Sequence, residues 1–400
     1  MGEARRQTGC VPSIPALVEP PVLAWARRSA NLEPIAAARK IGVDQDRLHE
    51  WERGESNPTI TQLRQAAAVY NRALAVFFLP EPPKDFNTLR DFRRVADQLS
   101  SEWSAALHAQ YRRAHAQREV LLDLADIDGE EPVRSWQLVV PTNDEVLAER
   151  ARDLLRTQTS LQFPSPSADM YRHLGYWINA LEQAGVLVMA TEGGEVAVAE
   201  MRGFSLYFDD VPVIMLNGTD APRGRLFSLL HEYVHLLLHT GGLCDTTTDR
   251  RPTTPDRALE ARCNAVAAAI LMPRQAMLAS PLVVQHQTGA PWTLPELIEA
   301  ARPYGVSVEA FLRRLVTLGR VPMRTYLSFR DSQNGSPPEK RKPSMSTFYT
   351  VKARDLGKGY VRRVVSAHRR SAIDSTTAAT YLDVKVGQIE RLAKAAQVAS

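Results

Sequence analysis

The run Leu226–His239, LFSLLHEYVHLLLH, sets His231 and His235 four residues apart with Glu232 directly after the first, inside an otherwise almost wholly apolar stretch. Leu226, Leu229, Leu230, Tyr233, Val234, Leu237 and Leu238 recur at helical spacing, which predicts a helix with a face wide enough to bury. The two histidines lie beside that face. Residues four apart stand one above the other on a helix, so both imidazoles can meet one ion, while Glu232 is turned about 100 degrees away, near the ion without ligating it. A buried histidine pair with nothing between its members would be costly. A divalent ion between them removes that cost, and the offset carboxylate suits a general base.

A catalytic zinc takes three protein ligands and keeps a fourth position for water. The spacing in which a third histidine follows His235 after x-x-Gly-x-x is absent, because Leu238 and Gly241 stand at those places. The next helical pattern opens at Pro255, a favoured first position, and stops at Met272 before Pro273. It offers Glu260 at the rim of an apolar stripe of Leu259, Cys263, Val266, Ala267, Ile270 and Leu271. From the pattern alone Glu260 is either a ligand or a surface carboxylate, and Asn264, one turn on, is placed to orient ligands.

These linked segments, LFSLLHEYVHLLLH and then EARCNAVAAAILMP (Glu260–Pro273), resemble the ImmA/IrrE family of zinc-dependent metallo-endopeptidases. The likeness extends upstream through GVLV, MRGFSL and PVIMLN and covers about Ala168–Arg274. It implies one Zn2+ held by His231, His235 and Glu260, with Glu232 as the catalytic base acting on an acidified water. It also implies a protein substrate of the repressor type, in stress response, mobile-element control or toxin–antitoxin regulation. The strand holding Met201–Leu206 is then the expected sheet edge for an extended substrate. Arg202, Tyr207 and His239 are not separable as a further oxyanion donor, and His239 reads as a cation at a helix end.

A second signature lies near the start. In LAWARRSANLEPIAAARKIGVDQDRLHEWERGESNPT, Ala37 is small where two helices cross, Gly42 makes a turn, and Val43 and Leu48 face inward. Val22–Phe78 resembles the Cro/cI-type (XRE) helix-turn-helix family. The resemblance implies DNA binding and homodimerisation on paired half-sites, with Gln45, Arg47 and His49 on the reading helix. Val22–Pro80 carries 8 basic and 6 acidic residues, a thin excess for a reader whose affinity rests on neutralising phosphates.

Charge is concentrated at the other end. The chain of 400 residues has a net charge of +4, yet Lys340–Ser400 holds 13 Lys and Arg against 4 Asp and Glu. Ser375 as a cap, Ala378, Ala379 and Leu382 facing inward, a turn near Asp383, and Val386 and Ile389 beyond it trace another helix-turn-helix. The preceding cations, Lys352 to Arg370, fit either a nucleic-acid contact or a helix docked on the peptidase.

The expected fold is α+β and mostly helical: an N-terminal helix-turn-helix bundle, a helical linker, a small zincin-like metallopeptidase domain with a short β-sheet, and a C-terminal helical domain. Breaks at LPEPPKDFN, FPSPS and DSQNGSPPEKRKPS divide the chain into a tail (1–21), helix-turn-helix domain (22–80), linker (81–165), peptidase (166–330), second linker (331–344) and basic C-terminal domain (345–400). The linker helices include Trp103, Leu107 and Tyr111 at four-residue intervals and a capping box at Thr142–Glu145. Three widely spaced cysteines, Cys10, Cys244 and Cys263, and the absence of an apolar leader or membrane-length run fit a cytoplasmic protein with no membrane partner. The expected function is a zinc endopeptidase fused to a DNA-binding domain. The competing reading is a non-enzymatic helix-turn-helix regulator whose protease-like domain senses a ligand or binds a partner.

Overall fold

In the computed structural model the described residues are 15–82, 104–157, 169–239, 242–244, 255–286, 291–333 and 347–397, less positions 31, 71, 73 and 193. Trp103, Cys10 and the FPSPS break lie outside them, as do most of the other two breaks and the side chain of Cys244. The chain divides into two compact units, residues 1–112 and 113–400.

The first unit is a helical bundle of α1 (Pro20–Ser29), α2 (Pro34–Ile41), α3 (Gln45–Arg53) and α4 (Ile60–Val69), closed by a 3-10 turn at Leu74–Phe78. Pro20 and Pro34 open α1 and α2, where a missing N–H costs nothing. Gly42 ends α2 at φ +81°, a left-handed position that a Cβ would disfavour. Thr59 and Gln62 form a reciprocal capping box on α4. Val22, Leu23, Ala37, Leu48, Trp51 and Leu63 fill the core, which also takes in Ala16 and Val18 upstream of α1.

In the second unit, α5 (Ala105–Asp128, beginning in the first unit) and α6 (Asp144–Thr157) precede α7 (Met170–Gln183). Leu107 and Tyr111 are buried on α5. α6 is capped by Asn143, not by Thr142: the Asn143 amide oxygen accepts from the N–H groups of Glu145 (2.9 Å) and Val146 (3.2 Å). Asn reaches the second and third amides of the helix as well as Thr does, and here it is one residue nearer.

Strands β1 (Leu187–Ala190), β2 (Gly203–Leu206), β3 (Val213–Leu216) and β4 (Gly242–Cys244) form one sheet in the order β1-β3-β2-β4. β1 and β3 run parallel, and β2 is antiparallel to both β3 and β4. β2 is therefore not the edge that the sequence predicts. Gly203, Phe204 and Ser205 are paired with Cys244, Leu243 and Gly242, a three-residue strand too short to register as a periodic pattern.

β1, β2 and β3 are buried along their length because α8 (Pro222–Leu237) crosses one face, while α7 and C-terminal helices pack against β1. α9 (Pro255–Leu271) packs on α8 and α6. The helices α10 (Arg274–Ala279), α11 (Pro281–Gln285), α12 (Leu294–Ala301), α13 (Val308–Thr317) and α14 (Met323–Gln333) follow. The core joins Leu229, Tyr233 and Leu237 of α8 to Val266 and Ile270 of α9 and Phe311 of α13.

The chain ends in α15 (Phe348–Leu356), α16 (Lys358–Arg369), α17 (Ser375–Tyr381), a 3-10 turn at Val386–Gln388 and α18 (Ile389–Gln397). Asp374, not Ser375, caps α17, accepting from the Thr377 N–H at 2.7 Å; Ser375 is the first helical residue. Gly357 sits at φ +90° with its Cα against the Val188 carbonyl, where any Cβ would collide. The molecule is thus mostly helical with a small sheet. No described helix is long and apolar enough to cross a membrane.

Candidate metal centre and helix-turn-helix surfaces

Pro222 opens α8 and the apolar repeat carries it under the sheet, so His231, Glu232 and His235 all sit in the interior, each at most 3% exposed. The Nε2 atoms of His231 and His235 lie 3.1 Å apart. From α9, the Glu260 carboxylate reaches both, with Oε2 3.2 Å from His231 Nε2 and Oε1 3.3 Å from His235 Nε2. These three side chains are the described group with the donors and closeness to hold a metal ion.

The spacing fits zinc. A tetrahedral ion with bonds of about 2.0–2.1 Å sets its ligand atoms roughly 3.3 Å apart, close to the separation of the two imidazole nitrogens and to the distance of each from its nearer Glu260 oxygen. The charge balance fits as well. Burial alone would raise the Glu260 carboxyl, yet the hydrogen bonds to His231 and His235 outweigh it and draw the pKa down to about 2. Burial opposes a charge on His235, but hydrogen bonds to Cys263 and Glu260 lift it to about 10. Glu260 is thus held as an anion facing the two imidazoles.

Glu232 is turned toward β2. Its Oε2 accepts a hydrogen bond from Ser205 Oγ at 2.9 Å. Burial raises its pKa, while His231, His235 and the Ser205 hydroxyl pull the other way. Gly203 leaves the room: a Cβ there would come within 3.1 Å of Glu232 Oε1 and 3.3 Å of the Met215 carbonyl.

Residues outside the motif tie each of the two helices to its surroundings. Arg314, 2% exposed, donates to the Met272 carbonyl just beyond α9 (3.1 Å) and makes a fork with Glu145 (2.7 and 2.8 Å). Arg152 donates to the Ile270 carbonyl. Tyr233 donates to the Trp136 carbonyl at 2.9 Å. Ser205, Gly203 and Arg314 carry no sequence signal that distinguishes them, because their roles depend on contacts between distant segments.

The remaining candidates separate. The Oδ1 of Asn264 is buried with no hydrogen-bond partner among the described residues. Arg202 pairs with Asp220 (3.5 Å), and the Tyr207 hydroxyl donates to Asp209 (2.9 Å). His239 lies beyond the end of α8 at φ +56°, its ring stacked on Tyr207 at 4.7 Å, rather than within the last helical turn. Cys263 is a buried thiol whose pKa burial raises.

Residues 181–316 match the peptidase family model described as the IrrE N-terminal-like domain. The chain carries that domain. It spans β1 to α13, and thus both helices of the centre. Residues 23–77 match the helix-turn-helix model. No curated protein and no solved structure matches the chain.

In the helix-turn-helix domain, Gln45 and Arg47 are exposed on α3 and His49 is half-buried. All three touch neighbours on their own helix: the Gln45 amide nitrogen meets His49 Nε2 at 3.2 Å, and Arg47 pairs with Glu50 at 2.9 Å. Asp44 and Asp46 are exposed beside them.

Proposed function

We propose that the protein is a zinc-dependent endopeptidase joined to a DNA-targeting helix-turn-helix domain, and that it regulates by cutting a protein partner. The observation that carries this reading is the convergence of His231, His235 and Glu260 beside a fully buried Glu232. A purely binding domain has no use for an interior carboxylate at that place, since burying one costs several kcal/mol unless it is engaged, on the order of the penalties for buried charges.

His231 and His235 from α8 and Glu260 from α9 would hold the ion, with Asn264 available to orient the Glu260 helix face. When bound, zinc supplies Lewis acidity and an acidified water. Glu232 takes up a proton and returns it to the leaving amine, the acid–base work for which a carboxylate of raised pKa is suited. Ser205 holds that carboxylate by one oxygen. An extended substrate segment would add to the outer edge of β4, since β2 is already paired on both sides.

The substrate class that fits best is a repressor or antitoxin-like protein of the helix-turn-helix type, within stress response, mobile-element control or toxin–antitoxin regulation. Homodimerisation of residues 22–80 on DNA half-sites belongs to the same proposal. The test compares cellular proteomes and zinc content for wild type and Glu232→Gln. The expected result is equal zinc and the loss of one or more cleaved repressor fragments in the variant. Equal zinc with unchanged fragments and unchanged regulation would instead establish the non-enzymatic, ligand- or partner-sensing alternative.

A further inference from the structure

The C-terminal helices repeat the spacing of the buried and turn positions of the N-terminal helix-turn-helix. Ala37, Ala38 and Ile41 of α2 have Ala378, Ala379 and Leu382 of α17 at the same spacing, all buried. Gly42 at φ +81° corresponds to Asp383 at φ +48°. The turn is closed by the same bond in each, Val43 N–H to the Ala38 carbonyl and Val384 N–H to the Ala379 carbonyl, both 3.0 Å. Leu48 and Trp51 then correspond to Ile389 and Leu392, again buried. Asp383 accepts a left-handed turn more readily than most residues with a Cβ, so the geometry survives without the glycine. Residues 374–397 lie outside both family matches.

Besides Lys358, which lies near Glu182, the described basic residues of this end fall into two sets. Lys352, Arg354, Arg362, Arg363, Arg369 and Arg370 are each bound to carboxylates: Glu192 and Asp383, Asp355, Glu182, Glu130, Glu390 and Asp128 respectively. Four of those carboxylates, Asp128, Glu130, Glu182 and Glu192, belong to segments outside the C-terminal helices, so α15 and α16 dock on the rest of the second unit. Lys385, Arg391 and Lys394 form no ion pair among the described residues and are exposed. All three lie on the second helix of the repeat, counted from its 3-10 first turn, or at its cap. Ile389, Leu392 and Ala393 face inward.

Electrostatics reverses between the two copies. Asp44 is replaced by Lys385, Asp46 by Gly387 and Glu50 by Arg391 at matching positions. Val386, 51% exposed, stands where Gln45 stands in the first copy and presents an apolar surface of the kind that meets a thymine methyl.

We infer that residues 374–397 are a second helix-turn-helix that binds duplex DNA through Lys385, Arg391 and Lys394. Duplex DNA is favoured over a protein partner because a helix of this motif enters the major groove by its N-terminal part; here Lys385 and Arg391 are exposed there without an ion pair among the described residues, and the one acid among them, Glu390, is held by Arg369. Each cation that meets a phosphate releases condensed counterions and adds roughly 0.9 to the slope of log affinity against log salt.

The experiment titrates the full chain with a fluorescently labelled duplex of mixed sequence, about 30 base pairs, at several salt concentrations. The triple variant Lys385→Ala, Arg391→Ala, Lys394→Ala is expected to lower the slope by about 2.7. It should also weaken binding at low salt by at least about tenfold, with unchanged circular dichroism. Arg47→Ala should change the slope by no more than about 1. Arg391→Lys should keep the slope, because charge is retained. If the triple variant did not fold, Arg391→Glu alone must weaken binding. Wild-type affinity and slope in the folded triple variant, or in Arg391→Glu, would overturn the inference, as would a wild-type chain that binds a helix-turn-helix protein but no duplex. None of these readouts depends on zinc or on peptide cleavage.

Discussion

The centre between α8 and α9 and the surface of α18 are built on opposite principles. At the centre, three polar side chains lie inside an apolar cluster, where each would be penalised unless engaged, so burial itself announces a purpose. On α18 the side chains are in water, where a charge costs nothing and needs no reason. There the informative quantity is pairing: six basic residues nearby are bound to carboxylates and three on the second helix are not. A function placed inside is visible in one motif, whereas one placed outside is visible only after the ion pairs are known.

The comparison breaks first at Glu232. Glu232→Gln keeps the volume and the bond from Ser205 but removes the base, and peptide cleavage should fall roughly 10²- to 10⁴-fold with zinc content unchanged. Cleavage at the wild-type rate would move the base elsewhere. Next is Glu260→Gln, which withdraws the charge that His231 and His235 meet. Zinc affinity should drop by at least about 100-fold, beyond the loss usual for an outer partner of a ligand, as read by competition with a chelator. Retained affinity would mean that the ion is held by another set of donors.

Ser205→Ala tests how far the interior extends beyond the motif. It deletes one hydrogen bond to a buried carboxylate, and turnover should fall about tenfold, the rate equivalent of the roughly 1.5 kcal/mol or more of a bond to a charged group. KM and zinc affinity should not move, and Ser205→Thr should restore most of the rate. A change in KM alone would assign Ser205 to substrate binding.

These residues also mark what the sequence could disclose. His231, Glu232 and His235 are legible because they are local, spaced by one helical turn within sixteen residues of one helix. Glu260 is legible as a rim position on the next helix, though its convergence with the histidines depends on how α9 packs. Both site helices follow from period, and the second also from Pro255 and Pro273. Ser205, Gly203 and Arg314 are not legible, since each acts across more than 25 residues of sequence. β2 reads as an edge in the sequence for a related reason: the strand that covers it has only three residues. The caps at Asn143 and Asp374 each differ by one residue from the pattern-based choice, because Asn, Asp, Ser and Thr all serve and the backbone decides among adjacent candidates.

The smallest effect lies between the two regimes, at the pair Arg362–Glu182 that anchors α16 on α7. Glu182 is almost fully buried and Arg362 is 39% exposed. Burial raises the Glu182 pKa even though the Arg362 charge and the Gly359 N–H oppose it. A raised folded-state pKa means that the folded protein holds this proton more tightly than the unfolded chain. The Glu182 contribution to stability is therefore fullest below the ordinary carboxylate range and is lost as pH rises through the folded value. Arg362→Ala removes a charge that favours the ionised form, so the pKa should climb further and the loss should extend to higher pH. Urea unfolding should show a small deficit for the variant near pH 4 and a larger one near pH 8, about 1 kcal/mol after allowing for the exposure of the guanidinium. Adding Glu182→Gln should flatten that difference. A deficit equal at both pH values would show that Arg362 holds α16 by packing alone, and the division of the basic residues into docked and DNA-facing sets would then rest on α18 without support from α16.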